Sequence, residues 1–117
     1  EAGIPDVDFC AHGVEGHIEL KHIHRKPARS TSQVFGDHGL RDSQVGWIHT
    51  RVRHGGRVWI LAQVAEDLYL VPGLYCRKFN KMTLFQIAKA STWYRSGNMR
   101  PGDWAALAQA LRDPIHQ

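Results

Sequence analysis

Gly16-His17-Ile18-Glu19-Leu20-Lys21-His22-Ile23 alternates apolar and polar residues, which is the period of a β-strand and not of a helix. Ile18 and Leu20 point to one side, and His17, Glu19 and Lys21 to the other. The expectation is a strand over His17–Ile23 with one face in the core and the other carrying charge. Immediately upstream, Val7–Ala11 reads as a further strand. The segment His12-Gly13-Val14-Glu15-Gly16 between them has two glycines and suits a hairpin turn, so the two strands should be antiparallel.

Downstream, the chain from Arg25 to Gly39 is polar and basic and contains Pro27, Ser30, Thr31 and Ser32, which predicts a long exposed loop. A helix is expected over Leu40–His54, with Leu40, Ile48 and Val52 as its apolar stripe, reinforced by Val45. Gln44 falls in that stripe, and an amide facing inward needs a hydrogen-bond partner. Gly55-Gly56 ends the helix. Arg57–Ala65 is apolar on both faces, as a central strand should be, and a turn at Glu66-Asp67 leads to a fourth strand, Leu68–Val71. Thr83 and Gln86 have the spacing of a capping box that opens a helix over Leu84–Ser91. Trp104, Leu107, Ala108 and Leu111 make the stripe of a last helix stopped by Pro114. Together these give an α/β arrangement, a small mixed sheet flanked by helices, in which His17–Ile23 and Arg57–Ala65 are parallel because a helix connects them.

Composition limits what such a chain can be. Its 117 residues suffice for a single domain, expected to span 1–117, and 43% hydrophobic content with four Trp excludes a disordered chain. The formal net charge of +4, the pI near 9.4 and eight His fit a polyanionic partner. Cys10 and Cys76 lack CxxC spacing and read as two buried free thiols of a reducing cytoplasm, with neither a zinc ribbon nor a disulfide framework. No apolar run approaches the roughly 18 residues that span a bilayer and no signal peptide opens the chain, so a soluble, cytoplasmic protein without membrane association is expected.

The chemistry concentrates on the first strand pair. Glu19 and Lys21, two apart on a strand, project side by side with about 7 Å between Cα atoms, close enough to share one water. A second carboxylate must come from the neighbouring strand, where Asp6 and Asp8 lie. Hydrolysis of a phosphodiester by a metal-dependent route needs such a set: hard oxygen ligands for the metal, a positioned water, and a cation to orient that water or offset developing charge.

Gly3-Ile4-Pro5-Asp6, then Gly16-His17-Ile18-Glu19-Leu20-Lys21, then Leu40-Arg41-Asp42-Ser43-Gln44-Val45-Gly46-Trp47-Ile48 together resemble the PD-(D/E)XK nuclease superfamily. Within it they are similar to the stand-alone VRR-NUC-like enzymes of phages and bacteria, with G-x-P-D, a strand bearing E-x-K and a helix bearing Q-x-x-W or Q-x-x-Y. The match runs from Gly3 to about Val64. The resemblance implies a restriction-endonuclease-like core and a Mg²⁺- or Mn²⁺-dependent endodeoxyribonuclease with no organic cofactor. Asp6 and Glu19 would be metal ligands, with the Leu20 main-chain carbonyl as third. Lys21 would position or help deprotonate the attacking water, and Gln44 would reach the centre from the core side. Branched DNA such as a Holliday junction, cut by a homodimer in a bacterial cell or phage-infected host, is the implied substrate. The family usually has a helix before the PD motif, often with an additional acidic residue; either Glu1 is a remnant of it or its residues lie before Glu1.

Other readings stand beside this one. Asp6, Glu19 and Lys21 can form a solvated face with an incidental ion pair, and Asp8 can stand in for Asp6. His17, His22 and His24 could bind zinc, but no further ligand has suitable spacing, and they read as phosphate contacts or surface residues. The run from Lys21 to Arg29 offers Arg25, Lys26 and Arg29 to a phosphate backbone, and Arg51, Arg53 and Arg57 form a second basic group. Trp47, Trp59, Trp93 and Trp104 read as core. Repair or restriction-type cleavage of flap or duplex DNA, and a non-catalytic DNA-binding module, remain as alternatives.

Overall fold

A computed structural model describes residues 2–113; the expectations for Glu1 and Pro114 fall outside them. Five strands form one mixed sheet in chain order: β1 (Val7–Ala11), β2 (Val14–Ile23), β3 (Val58–Val64), β4 (Asp67–Pro72) and β5 (Trp93–Arg95). Three helices join them, α1 (Asp42–Arg53), α2 (Leu84–Ala90) and α3 (Pro101–Arg112). The expected α/β class and mixed sheet are both present.

The hairpin is tighter than the five-residue turn expected. Only His12 (φ 51°) and Gly13 (φ 83°) lie outside the ladder, and two successive positive φ values are what a two-residue hairpin turn requires. Gly16 is therefore inside β2, opposite Phe9. The chain then crosses through α1, and β3 pairs with β2 in parallel from His17↔Val58 to Ile23↔Val64. The next turn is Ala65-Glu66, one residue earlier than expected, since Asp67 already pairs with Val64. Trp93-Tyr94-Arg95, read only as part of a helical remainder, adds β5 to the far edge.

Helices cover both faces of the sheet, and this overturns the expected sidedness of β2. The parallel register puts Glu19 beside Ile60 and Lys21 beside Ala62, on the face where α1 buries Leu40 and Ile48 just before and within it, and α2 buries Ile87. Each such fully buried aliphatic side chain stabilises the fold by roughly 1.5–3 kcal/mol. On the opposite face Ile18, Trp59 and Leu70 pack under Leu107, Ala110 and Leu111 of α3. Glu19 is thus in the interior at 1% exposure, whereas Leu20, expected in the core, is 46% exposed. Trp104 also leaves its expected stripe and is 61% exposed, with Ala110 taking the core position instead.

The loop after β2 is not exposed throughout. Gln33 bridges to Thr83, Val34 donates its N–H to the Met82 carbonyl (3.1 Å), and Val34 and Phe35 are buried ahead of a 3-10 turn at Gly36–His38. Asn80 then accepts from Leu40 N–H (2.7 Å) and donates to the Leu40 carbonyl (2.8 Å), fixing the chain as it turns into α1. None of the described residues forms a helix long and apolar enough to cross a membrane.

Candidate active site

Gln44 occupies the third position of α1, and both ends of its amide are committed. Its Oε1 accepts the N–H of Arg41 (2.9 Å), closing the first turn, and its Nε2 donates to Glu19 Oε2 (2.9 Å). Because the oxygen is held by a main-chain donor, the nitrogen must face the carboxylate. The residue that looked out of place in an apolar stripe is buried, at 5% exposure, with every polar atom oriented by a partner.

Glu19 receives that bond on Oε2, which also lies 3.6 Å from Lys21 Nζ. Its other oxygen, Oε1, is buried with no hydrogen-bond partner among the described residues. Burial pushes the Glu19 carboxyl above its usual range; the adjacent Asp6 carboxylate raises it further, and Lys21 draws it part of the way back. A buried carboxylate with one lone oxygen, beside a second carboxylate, is an arrangement that a bound cation would relieve.

Asp6 arrives by a different route. Extending the ladder from Val7↔Ile18 by one residue sets it opposite Glu19 and on the same face, and its Oδ2 accepts the N–H of Leu20 (2.9 Å). Gly3 permits this approach. It has φ +87°, and a Cβ there would lie 2.1 Å from the Ser43 carbonyl oxygen, so only glycine lets the segment before Asp6 lie against the first turn of α1.

Register also explains the Leu20 carbonyl. His17 N–H bonds to Arg57 and Ala65 N–H to Ile23, so the odd residues of β2 face β3 and the even ones face β1. The β1 ladder stops at Val7↔Ile18, and the residue that would oppose Leu20 is Pro5, which has no N–H to give. Leu20 therefore presents an oxygen without a strand partner beside Asp6 and Glu19. Among the described residues no three His, Cys, Asp or Glu side chains converge as a metal-binding group. The oxygens near one another here are those of the Asp6 and Glu19 carboxylates, with the Leu20 carbonyl on the same stretch of chain, and hard oxygens of this kind suit Mg²⁺ or Mn²⁺ better than zinc.

The remaining candidates separate. Asp8 is engaged by His17 Nδ1 at 2.6 Å, and His17 in turn meets the edge of Trp47 with ring centroids 4.9 Å apart. His22 and His24 pack edge to face on each other, next to Lys26 and the β3–β4 turn. Arg25 and Arg29 are exposed, while Lys26 Nζ lies 3.3 Å from Asp67. Arg51, Arg53 and Arg57 are not one group. Arg51 stacks over the Trp47 ring (4.6 Å), and Arg53, two residues on, points about 160° away around the helix. Arg57 donates to the Leu111 and Asp113 carbonyls at the end of α3, a structural role that spacing gave no means to see.

Against known proteins, no family model matches this chain and no curated protein is similar enough to count as a match, so the likeness to PD-(D/E)XK enzymes rests on its three motifs.

Proposed function

We propose that this chain is a Mg²⁺- or Mn²⁺-dependent endodeoxyribonuclease acting on branched DNA. The observation that carries the reading is that Asp6, Glu19 with its lone buried oxygen, and Lys21 share one face. They come from the residue before β1 and from β2, and Gln44 of α1 locks the central carboxylate. A divalent cation bound there would polarise the scissile phosphate and acidify a water.

The chain's own groups have separable tasks in that chemistry. Gln44 holds Glu19 in one rotamer, so the free oxygen keeps a fixed direction. Asp6, tied to the Leu20 N–H, keeps its second oxygen available on the open edge of the sheet. Lys21, partly accessible beside Glu19, can hold a water by hydrogen bond and offset charge developing on the phosphate. Arg25 and Arg29, exposed on the loop leaving β2, would contact phosphates flanking the cut. None of these groups reads a base edge, which favours recognition of DNA shape over sequence. A homodimer would supply the two symmetric cuts that a four-way junction requires.

The second reading is a DNA-binding module that does not cleave. It is favoured by the side-chain set stopping at two carboxylates. Labelled four-way junction, flap and duplex DNA, incubated with wild type and Glu19→Ala in Mg²⁺, Mn²⁺ or EDTA, separate the two. The nuclease reading expects paired symmetric nicks in the junction, lost with EDTA or the substitution. Cutting of flap or duplex instead moves the substrate to repair or restriction chemistry. Binding without cleavage under every metal condition overturns the enzyme reading.

A further inference from the structure

The last part of the chain has a charge pattern unlike the rest. Between Asp67 and Asp103 there is no acidic residue, while Arg77, Lys78, Lys81, Lys89, Arg95 and Arg100 all fall there. Arg95 is paired with Asp103 at 2.9 Å. Arg77, Lys78, Lys81 and Lys89 are exposed and have no carboxylate within ion-pair distance among the described residues. They lie on and around the 3-10 turns Gly73–Tyr75 and Phe79–Lys81 and on α2, with Cys76, Phe79 and Ile87 anchored in the core beneath.

All four cations line a groove of about 550 Å³ whose floor includes Tyr75 and Met82. Phe85 is not part of that lining, but it is 73% exposed and lies one turn before Lys89 on α2, where side chains four apart are neighbours. A cluster of like charges held at one groove without a counter-charge is electrostatically unfavourable unless a polyanion completes it. Cations alternating with an exposed aromatic ring match a phosphate backbone with an unstacked base.

The groove shares no lining residue with the cluster at Asp6 and Glu19 and is built from the chain after β4, which lies two strands from β2 in the sheet. The loop that leaves β2 and carries Arg25, Lys26 and Arg29 runs to Gln33 and Val34, which pair with Thr83 and with Met82, a residue of the groove lining.

We infer that Arg77, Lys78, Lys81, Lys89 and Phe85 form a second nucleic-acid contact that takes an unpaired strand, its phosphates on the four cations and a base against Phe85. This deepens the DNA-directed reading and rests on it for the identity of the polyanion, but it needs neither metal nor cleavage. In a branched substrate, this groove would hold the displaced strand while the duplex arm lies at Asp6 and Glu19.

The test is anisotropy of labelled single-stranded and duplex oligonucleotides with the full chain in EDTA, over about 50 to 200 mM salt. Lys78→Gln/Lys81→Gln should weaken single-strand binding and lower the salt slope by about 1.4, some 0.7 for each phosphate that is no longer neutralised. Phe85→Ala should weaken single-strand binding about fivefold or more, leaving duplex binding and the slope unchanged. Unchanged affinity and slope in the double variant overturn the inference, as does an equal effect of Phe85→Ala on duplex and single strand. Lysine-dependent binding to phosphatidylserine vesicles, with no oligonucleotide binding, overturns it too. The two readings fail separately: a protein that binds through this groove and never cleaves sinks only the nuclease, and one that cleaves while the double variant binds normally sinks only the groove.

Discussion

Replacing Gln44 with Met keeps the length and apolar stem of the side chain and removes both of its hydrogen bonds. The bond to the Glu19 carboxylate is charge-assisted and contributes about 1.5–3 kcal/mol; the bond from Arg41 N–H adds about 0.5–1.5 kcal/mol. Gln44→Met should therefore destabilise the fold by about 2–4.5 kcal/mol, a fall in Tm of roughly 10 °C or more for a chain of this size. The cost is high because Glu19 would be left with Lys21 alone, at 3.6 Å, as its partner. Urea unfolding at neutral pH in EDTA, followed by tryptophan fluorescence, measures it. A cycle with Glu19→Gln isolates the charged part: once the carboxylate is gone, Gln44→Met should cost about 1–2 kcal/mol less. A penalty under about 0.5 kcal/mol, or no coupling in the cycle, would refute the clamp and with it the account of why an amide lies in the stripe.

Three further outcomes test other parts of the structure. Gly3→Ala forces a Cβ into the Ser43 carbonyl at a strained φ; displacing Asp6 by about 1 Å should slow metal-dependent cleavage on the order of 100-fold, in single-turnover assays, while the core melts nearly as before. Glu19 carries a raised pKa in the fold, so its contribution to stability is fully present below its ordinary value of 4.5 and is lost as pH rises through the folded value. Urea stability in EDTA should decline across that window, and Glu19→Gln should flatten the decline. Arg57→Ala removes the donors that hold the Leu111 and Asp113 carbonyls and should cost about 1–3 kcal/mol with no change in the salt dependence of DNA binding; a reduced salt slope would return Arg57 to the DNA-contacting set.

What the sequence made legible follows from how local each signal is. The bounds of Val7–Ala11 were readable because alternation and a tight turn are short-range properties, and Glu19 and Lys21 were correctly placed on one face for the same reason. Which face was the core was not readable, since that depends on which helix lies over which side of a sheet covered on both. Leu20 and Glu19 accordingly exchange the environments expected of them. Gln44 was the exception: a polar residue at helical spacing among apolar ones announces a buried partner, though not which one. Trp93-Tyr94-Arg95 is too short to carry periodicity and becomes a strand only because Leu68–Leu70 offers it an edge. The groove around Lys78 and Lys81 escaped motif reading because it is assembled from two 3-10 turns and a helix face. The long stretch without acidic residues was its one trace in the sequence.

Among the described residues the order β1-β2-β3-β4-β5 leaves β1 as an edge with no strand on its outer side, the usual template for adding a strand from another chain. That edge is five residues long, is preceded by Pro5 and carries Asp6 and Asp8, all features that discourage such pairing. Asp6 thus contributes to colloidal behaviour as well as to the cluster. Neutralising both acids should make the protein more prone to self-association as strands stack edge to edge, so loss of cleavage in Asp6→Asn/Asp8→Asn has meaning only beside a sedimentation profile showing the same species as wild type.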